Sequence, residues 1–189
     1  MDGLMWWPDD RLRQRWESSK HYEYEGNAQP WVQLLLYSLV VATKATTVVE
    51  CGTFRGATAA WLGLAVEANG GGTVWCIERT PNDLARAQDY LDGLALPRTT
   101  FRYMKMTTLD FLATHWPTGV DFVFLDDDKH AVPEKLAALG RAEPHVLVAV
   151  HDVDHNYDEH GPARYFAAHG VVVPAPILHE HGHVGLVRA

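Results

Sequence analysis

The sequence predicts an α/β fold: a doubly wound, mostly parallel sheet of seven strands, with helices on both faces and a C-terminal antiparallel hairpin. Three observations carry this. Apolar runs of strand length recur at residues 46–49, 73–78, 100–104, 120–125 and 144–150, with helical patterns between them. Glycine and proline mark the joins, as at Asn69-Gly70-Gly71-Gly72 and Thr80-Pro81. The acids Glu50, Glu78, Asp126 and Asp152 fall at the predicted carboxyl ends of four strands. Open parallel sheets bind their ligands along that edge.

Bulk composition narrows the classes. The 189 residues suit one domain spanning 1–189, and 47% apolar content suffices for a sizeable core. A net charge of −8 argues against a nucleic-acid or anionic-membrane partner. Residues 1–10 lack a basic n-region, so no signal peptide is expected, and no stretch reaches transmembrane length. Cys51 and Cys76 read as small core residues kept reduced, which implies a cytoplasmic protein.

Taken in order, residues 9–19 have a helical pattern, with Asp9 or Asp10 as N-cap and Leu12 and Trp16 on one face. Trp6, Trp7 and Trp16 have three readings: covering a substrate, packing on a second copy as a homodimer, or packing on their own domain. Residues 1–30 are therefore expected to form a lid or dimerisation segment. Pro30 suits the first turn of a helix running to Lys44.

The first strand then meets Glu50-Cys51-Gly52-Thr53-Phe54-Arg55-Gly56-Ala57 and a helix. Strand, glycine turn and helix form a ligand-binding corner, because the helix start presents unpaired N–H groups. The spacing Glu50-x-Gly52-x-x-x-Gly56 departs from the G-x-G-x-x-G of dinucleotide folds, and no diphosphate grip is evident. A carboxylate there suits a cationic ligand; the bland alternative is an ordinary strand–turn–helix corner. Glu78 ends the second strand, where an acid can accept hydrogen bonds from both ribose hydroxyls or can simply be solvated. A helix follows from Pro81 to about Leu91, with Thr80 as cap.

After the short third strand, Thr107 or Thr108 caps the next helix. The fourth strand runs into Asp126-Asp127-Asp128-Lys129-His130, followed by a helix over 131–139. The fifth runs into His151-Asp152-Val153-Asp154-His155. Residues 161–169 have a helical pattern, and 171–177 with 183–187 read as the closing hairpin. An acidic run is usually a solvated turn. Three adjacent acids repel one another, however, unless a cation or Lys129 compensates.

The Glu50–Ala57 stretch resembles motif I of class I S-adenosylmethionine-dependent methyltransferases. Phe124-Leu125-Asp126-Asp127-Asp128-Lys129 is similar to the strand-four signature of their cation-dependent O-methyltransferases, of catechol and caffeoyl-CoA type. The resemblance covers residues 27–155 and implies a Rossmann-like fold. It further implies a cofactor site of Glu50, Gly52, Thr53, Gly56, Ala57, Glu78, Arg79, Thr107 and Asp126, with residues 25–28 also touching the cofactor. Its metal set would be Asp126, His151 and Asp152, holding Mg2+ or another divalent cation. His151 departs from the Asp-Asn pair of that family and suits softer metals; related bacterial small-molecule enzymes include some that act without metal. Asp126 and Lys129 would serve catalysis, with His155 as an alternative base. The expected activity is methyl transfer from S-adenosylmethionine to a hydroxyl of a small-molecule acceptor. The rivals are a non-catalytic S-adenosylmethionine-binding partner subunit and a metal-dependent hydroxylase-like relative on the same fold. The Glu50 spacing argues against a nicotinamide dehydrogenase.

Overall fold

A computed structural model of the chain describes residues 28–153, 171–173 and 183–188, together with Asp10 and Phe166. Apart from Asp10, the expected helix over 9–19 lies outside the described residues, as do Trp6, Trp7 and Trp16, His155, most of the 161–169 helix and residues 174–177.

Helix α1 (Pro30–Thr43) precedes β1 (Thr47–Cys51) and α2 (Ala57–Ala68). Then come β2 (Gly72–Ile77), α3 (Pro81–Asp92), β3 (Thr99–Met104) and α4 (Thr108–Thr114). Strand β4 (Phe122–Leu125), α5 (Val132–Ala142) and β5 (Leu147–Val150) follow, and β6 (Val171–Val173) and β7 (Val184–Arg188) close the chain. All seven strands join one sheet in the order β3-β2-β1-β4-β5-β7-β6. The first five run parallel, and β7 lies antiparallel between β5 and β6, as the hairpin reading expects.

Both faces of the sheet are covered, which is why its strands are apolar throughout rather than alternating. Val48, Val74, Cys76, Phe122 and Phe124 pack with Leu36 and Val40 of α1 and Leu62 and Val66 of α2. Val49, Cys51, Val123, Leu125, Val148 and Val150 pack with Phe111 of α4 and Leu136 and Leu139 of α5. Cys76 pairs with Glu50 and Cys51 with Ile77, so the two thiols lie one register step apart and on opposite faces. Both are buried and free. No helix among the described residues is long and apolar enough to cross a membrane.

Several boundaries differ from the sequence reading, each for a local reason. Strand β1 continues through Glu50 and Cys51 because both neighbours still pair there. Strand β4 starts at Phe122 rather than Val120, and the Asp121 carboxylate accepts the N–H groups of Thr46 (2.8 Å) and Thr47 (3.0 Å). Strand β5 starts at Leu147 because Val146 N–H turns back to the Glu143 carbonyl. Thr80 makes no side-chain cap; its own N–H donates to Glu78 Oε1 at 2.7 Å.

The corner between α1, α2 and β1 is tied by one side chain. Asn69 Nδ2 donates to the carbonyls of Val40 and Ala45, each at 2.9 Å. Asn69→Ala leaves both without this donor, at a cost of about 1–3 kcal/mol. The expected result is a lower denaturant midpoint with an unchanged m-value; an unaltered midpoint would show that water replaces the amide freely.

Candidate active site

Parallel register builds the site. Cys51 pairs with Ile77 and with Leu125, and Leu125 pairs with Val150. The next residues, Gly52, Glu78, Asp126 and His151, therefore leave the sheet side by side. The ladder carries on past the strand ends. Gly52 N–H and Thr53 N–H both donate to the Ile77 carbonyl, Asp126 N–H to that of Cys51, and His151 N–H to that of Leu125.

Gly52 turns the chain with φ +91°, and a Cβ there would stand 2.5 Å from the Asp126 carbonyl oxygen. Only glycine meets both demands. Gly56 (φ +85°) is the N-cap of α2, which has no side-chain cap, and Ala57 is its first residue.

Glu50 is buried, at 1% exposure. Its Oε2 and the neighbouring Thr53 Oγ1 find no hydrogen-bond partner among the described residues. Burial pushes the Glu50 carboxyl well above the usual range; the nearby Thr53 hydroxyl opposes this, and the charges of Asp126 and Glu78 add to it. An unpaired buried carboxylate is costly, and clusters of such groups mark functional sites.

Glu78 is held differently. Its Oε2 accepts Phe54 N–H at 3.0 Å and its Oε1 accepts Thr80 N–H. It thus clamps the glycine turn to the end of β2. Arg79 is exposed. Thr107 is the N-cap of α4: its Oγ1 accepts Asp110 N–H at 3.2 Å and donates to Asp110 Oδ2 at 2.7 Å.

The acidic run divides. Asp126 faces the cluster that includes β5, and its Oδ1 accepts from Lys129 Nζ at 2.7 Å and from His151 Nδ1 at 2.9 Å. Asp152 Oδ2 lies 3.7 Å from Lys129 Nζ and 3.4 Å from His151 Nδ1. Burial pushes the Asp126 carboxyl up, but Lys129 and His151 together outweigh it and hold it below the usual carboxylate range. Asp127 points towards α4 and α5, accepting from Thr108 Oγ1 at 2.6 Å and Lys135 Nζ at 2.5 Å. Lys135 Nζ also donates to the Asp128 carbonyl at 2.7 Å.

The structure therefore brings Asp126, Lys129, His151 and Asp152 together, and sets Glu50, Gly52 and Glu78 beside them. Sequence reasoning missed three participants. Gln29 Oε1 lies 2.9 Å from His151 Nε2, a contact across 122 positions with no local signal. Thr108 was read only as an alternative cap. Lys135 did have a signal, since helical spacing sets it on one face with Val132, Leu136 and Leu139.

The donor set for a divalent cation is Asp126, His151 and Asp152, whose ligating atoms lie within 4.8 Å of one another. Two carboxylates and an imidazole have suitable chemistry. As arranged, however, they do not fit a resident ion, because the Lys129 ammonium and the His151 ring already occupy Asp126 Oδ1 and stand against Asp152 Oδ2 at 3.7 and 3.4 Å.

Comparison with known proteins adds a family and a fold. A family model described as a methyltransferase domain matches residues 49–153. No curated protein matches the chain. Similar solved structures include an O-methyltransferase from Bacillus cereus in complex with SAH, with TM-score 0.76 and 18% identity over 100% of this chain and 94% of that one. They also include TomG from Streptomyces achromogenes, an O-methyltransferase of tomaymycin synthesis in complex with SAM, with TM-score 0.72 and 19% identity over 98% and 93%. A methyltransferase from Geobacter sulfurreducens aligns with TM-score 0.70 and 16% identity over 100% and 93%.

The buried Glu50 carboxyl generates a pH-dependent expectation. A carboxyl whose folded-state pKa is raised keeps its proton in the folded state after the unfolded chain has lost it. Stability therefore falls as pH rises above the ordinary value of 4.5 towards the folded one. Glu50→Gln removes this fall. Thermal melts of the ligand-free protein should coincide at about pH 4 and favour the variant at about pH 8. Parallel melting curves at both pH values would mean that the carboxylate is not held in a buried, unpaired state.

Proposed function

The chain belongs to the methyltransferase-domain family, and from that premise we infer that it transfers a methyl group from S-adenosylmethionine to a hydroxyl of a small-molecule acceptor. The observation that carries this is Glu50, whose buried Oε2 has no hydrogen-bond partner among the described residues, two residues before the Gly52 turn and on the strand next to the one that Glu78 follows. A cationic ligand whose amine reaches Glu50 and whose ribose reaches Glu78 matches the row of groups at the sheet edge. Gly52, Thr53, Gly56 and Ala57 would line the cofactor, with Arg79 and Thr107 flanking it and Asp126 nearest the reacting methyl. The O-methyltransferase names of similar folds support hydroxyl as the acceptor.

The chemistry is an in-line displacement. The acceptor oxygen attacks the methyl carbon, the carbon–sulfur bond breaks, and sulfur keeps the electron pair as a neutral thioether. The hydroxyl proton passes to the Asp126 carboxylate, with Lys129 stabilising the charge beside it, or to His155. Holding nucleophile, methyl and sulfur in line is the main catalytic contribution, which for well-aligned reactants reaches several kcal/mol. We read residues 1–189 as one domain, with 1–30 as the lid or homodimer segment. The free buried thiols suit a cytoplasmic setting.

Calorimetry with S-adenosylhomocysteine tests the cofactor site. Replacing Glu78 by Ala removes a charged acceptor worth roughly 1.5–3 kcal/mol, so affinity should drop on the order of 10- to 150-fold. Unchanged affinity in a folded variant would take Glu78 out of the site, and no binding by the parent protein would sink the methyltransferase reading.

A further inference from the structure

The cluster of Asp126, His151 and Asp152 has the composition of a divalent-cation site, yet its geometry is that of a site already filled. We propose that the cation of this cluster is the chain's own Lys129 ammonium, so that the site works without a divalent ion and becomes a metal site only when Lys129 is removed. The proposal rests on the methyltransferase reading for its catalytic consequence and not for its binding chemistry.

Three observations support it. The first is position. Lys129 Nζ stands 2.7 Å from Asp126 Oδ1 and 3.7 Å from Asp152 Oδ2, between the two carboxylates that a metal would have to bridge. A divalent ion bound to Asp126 at about 2.0–2.2 Å would lie only a few ångströms from that ammonium, against strong like-charge repulsion.

The second is the direction of lone pairs. His151 Nδ1 faces the carboxylate oxygens of Asp126 at 2.9 Å and of Asp152 at 3.4 Å. An ionised carboxylate only accepts, so the ring nitrogen facing it carries the proton and offers no lone pair to a metal. The other ring nitrogen lies 2.9 Å from the Gln29 amide oxygen, so that side chain stands where a metal would approach it. Ligation would need the ring to exchange its proton and abandon a charge-assisted hydrogen bond, a cost that a metal seated on both carboxylates can offset only once Lys129 no longer engages them.

The third is rigidity. Lys129 lies on the turn between β4 and α5, and that turn is pinned at both neighbouring residues. Asp128 Oδ1 accepts His130 N–H at 3.0 Å, and the 1% exposed Lys135 holds both the Asp127 carboxylate and the Asp128 carbonyl. The ammonium is set in place by the fold and is not a mobile surface lysine that swings across.

The consequence for catalysis is a change of role. In the sequence reading Lys129 serves catalysis beside a divalent cation. Engaged by two carboxylates, it is instead a hydrogen-bond donor that supplies one positive charge next to the acceptor oxygen.

Calorimetric titration of the full chain with MnCl2 alone, after chelator treatment and dialysis, tests this without a methyl acceptor. Wild type should show no saturable binding at millimolar Mn2+. Lys129→Ala should bind one Mn2+ per chain, at least about tenfold more tightly, and Lys129→Ala with Asp126→Asn should lose it. Lys129→Met, which keeps the bulk of the stem, guards against a folding defect in the alanine variant. One tight Mn2+ per wild-type chain that disappears in Asp126→Asn would overturn the proposal. So would folded Lys129→Ala and Lys129→Met proteins that gain no binding. S-adenosylhomocysteine binding is measured alongside: its absence in all variants counts against the methyltransferase reading and leaves the Mn2+ result standing.

Discussion

Strands β2, β1, β4 and β5 end level, with Ile77, Cys51, Leu125 and Val150 paired side by side, and the placement of the whole site follows from that register. Parallel strands need a crossover to return, so every carboxyl end opens into a loop at the same edge. Here the hydrogen-bond ladder continues into the first residue of each loop. Gly52, Glu78, Asp126 and His151 are consequently fixed by backbone bonds rather than by loop packing. Gly52 sits at the centre because the neighbouring chain passes so close that no side chain fits.

Such an edge gathers negative charge, and the protein neutralises each acid by a separate device. Backbone N–H groups hold Glu78. A buried lysine and a threonine hydroxyl hold Asp127. Lys129 and His151 together hold Asp126 and stand against Asp152. Among these acids, Glu50 alone has a buried oxygen left without a hydrogen-bond partner among the described residues. Its position therefore destabilises the free protein and leaves a place in which a positively charged ligand gains more than it would at a solvated acid.

The fold was legible because both faces of the sheet are covered, which turns each inner strand into a short continuous apolar run that composition reveals. Strand ends were less legible. Apolar character does not say where pairing begins, so Val120 and Pro144 read as strand although the ladder starts at Phe122 and Leu147. In the site, the acids were readable because each lies within two residues of the carboxyl end of a strand, and Thr107 was readable as a cap. Gln29 was not, since its contact with His151 depends on how α1 is placed on the sheet. Lys135 was overlooked because a lysine on an amphipathic helix is ordinarily taken for its solvated side, although its spacing from Val132, Leu136 and Leu139 sets it on the buried one.

Asp126 and Asp127 are adjacent on the chain yet serve opposite layers, and two lysines make that division stable. In extended chain leaving a strand, successive side chains alternate in direction. Asp127 turns towards α4 and α5, where a solitary carboxylate would be desolvated, and Lys135 meets it there. A buried ion pair of this kind gives little net stability, because desolvation offsets most of the attraction. What it does fix is orientation. With Asp127 bound to Lys135 and Thr108, a one-residue slip of the turn would break both bonds and carry Lys129 out of its place between Asp126 and Asp152. Such a slip is strongly unfavourable. The inner pair thus holds the outer one in register, and Asp126 and Lys129 keep their place beside His151.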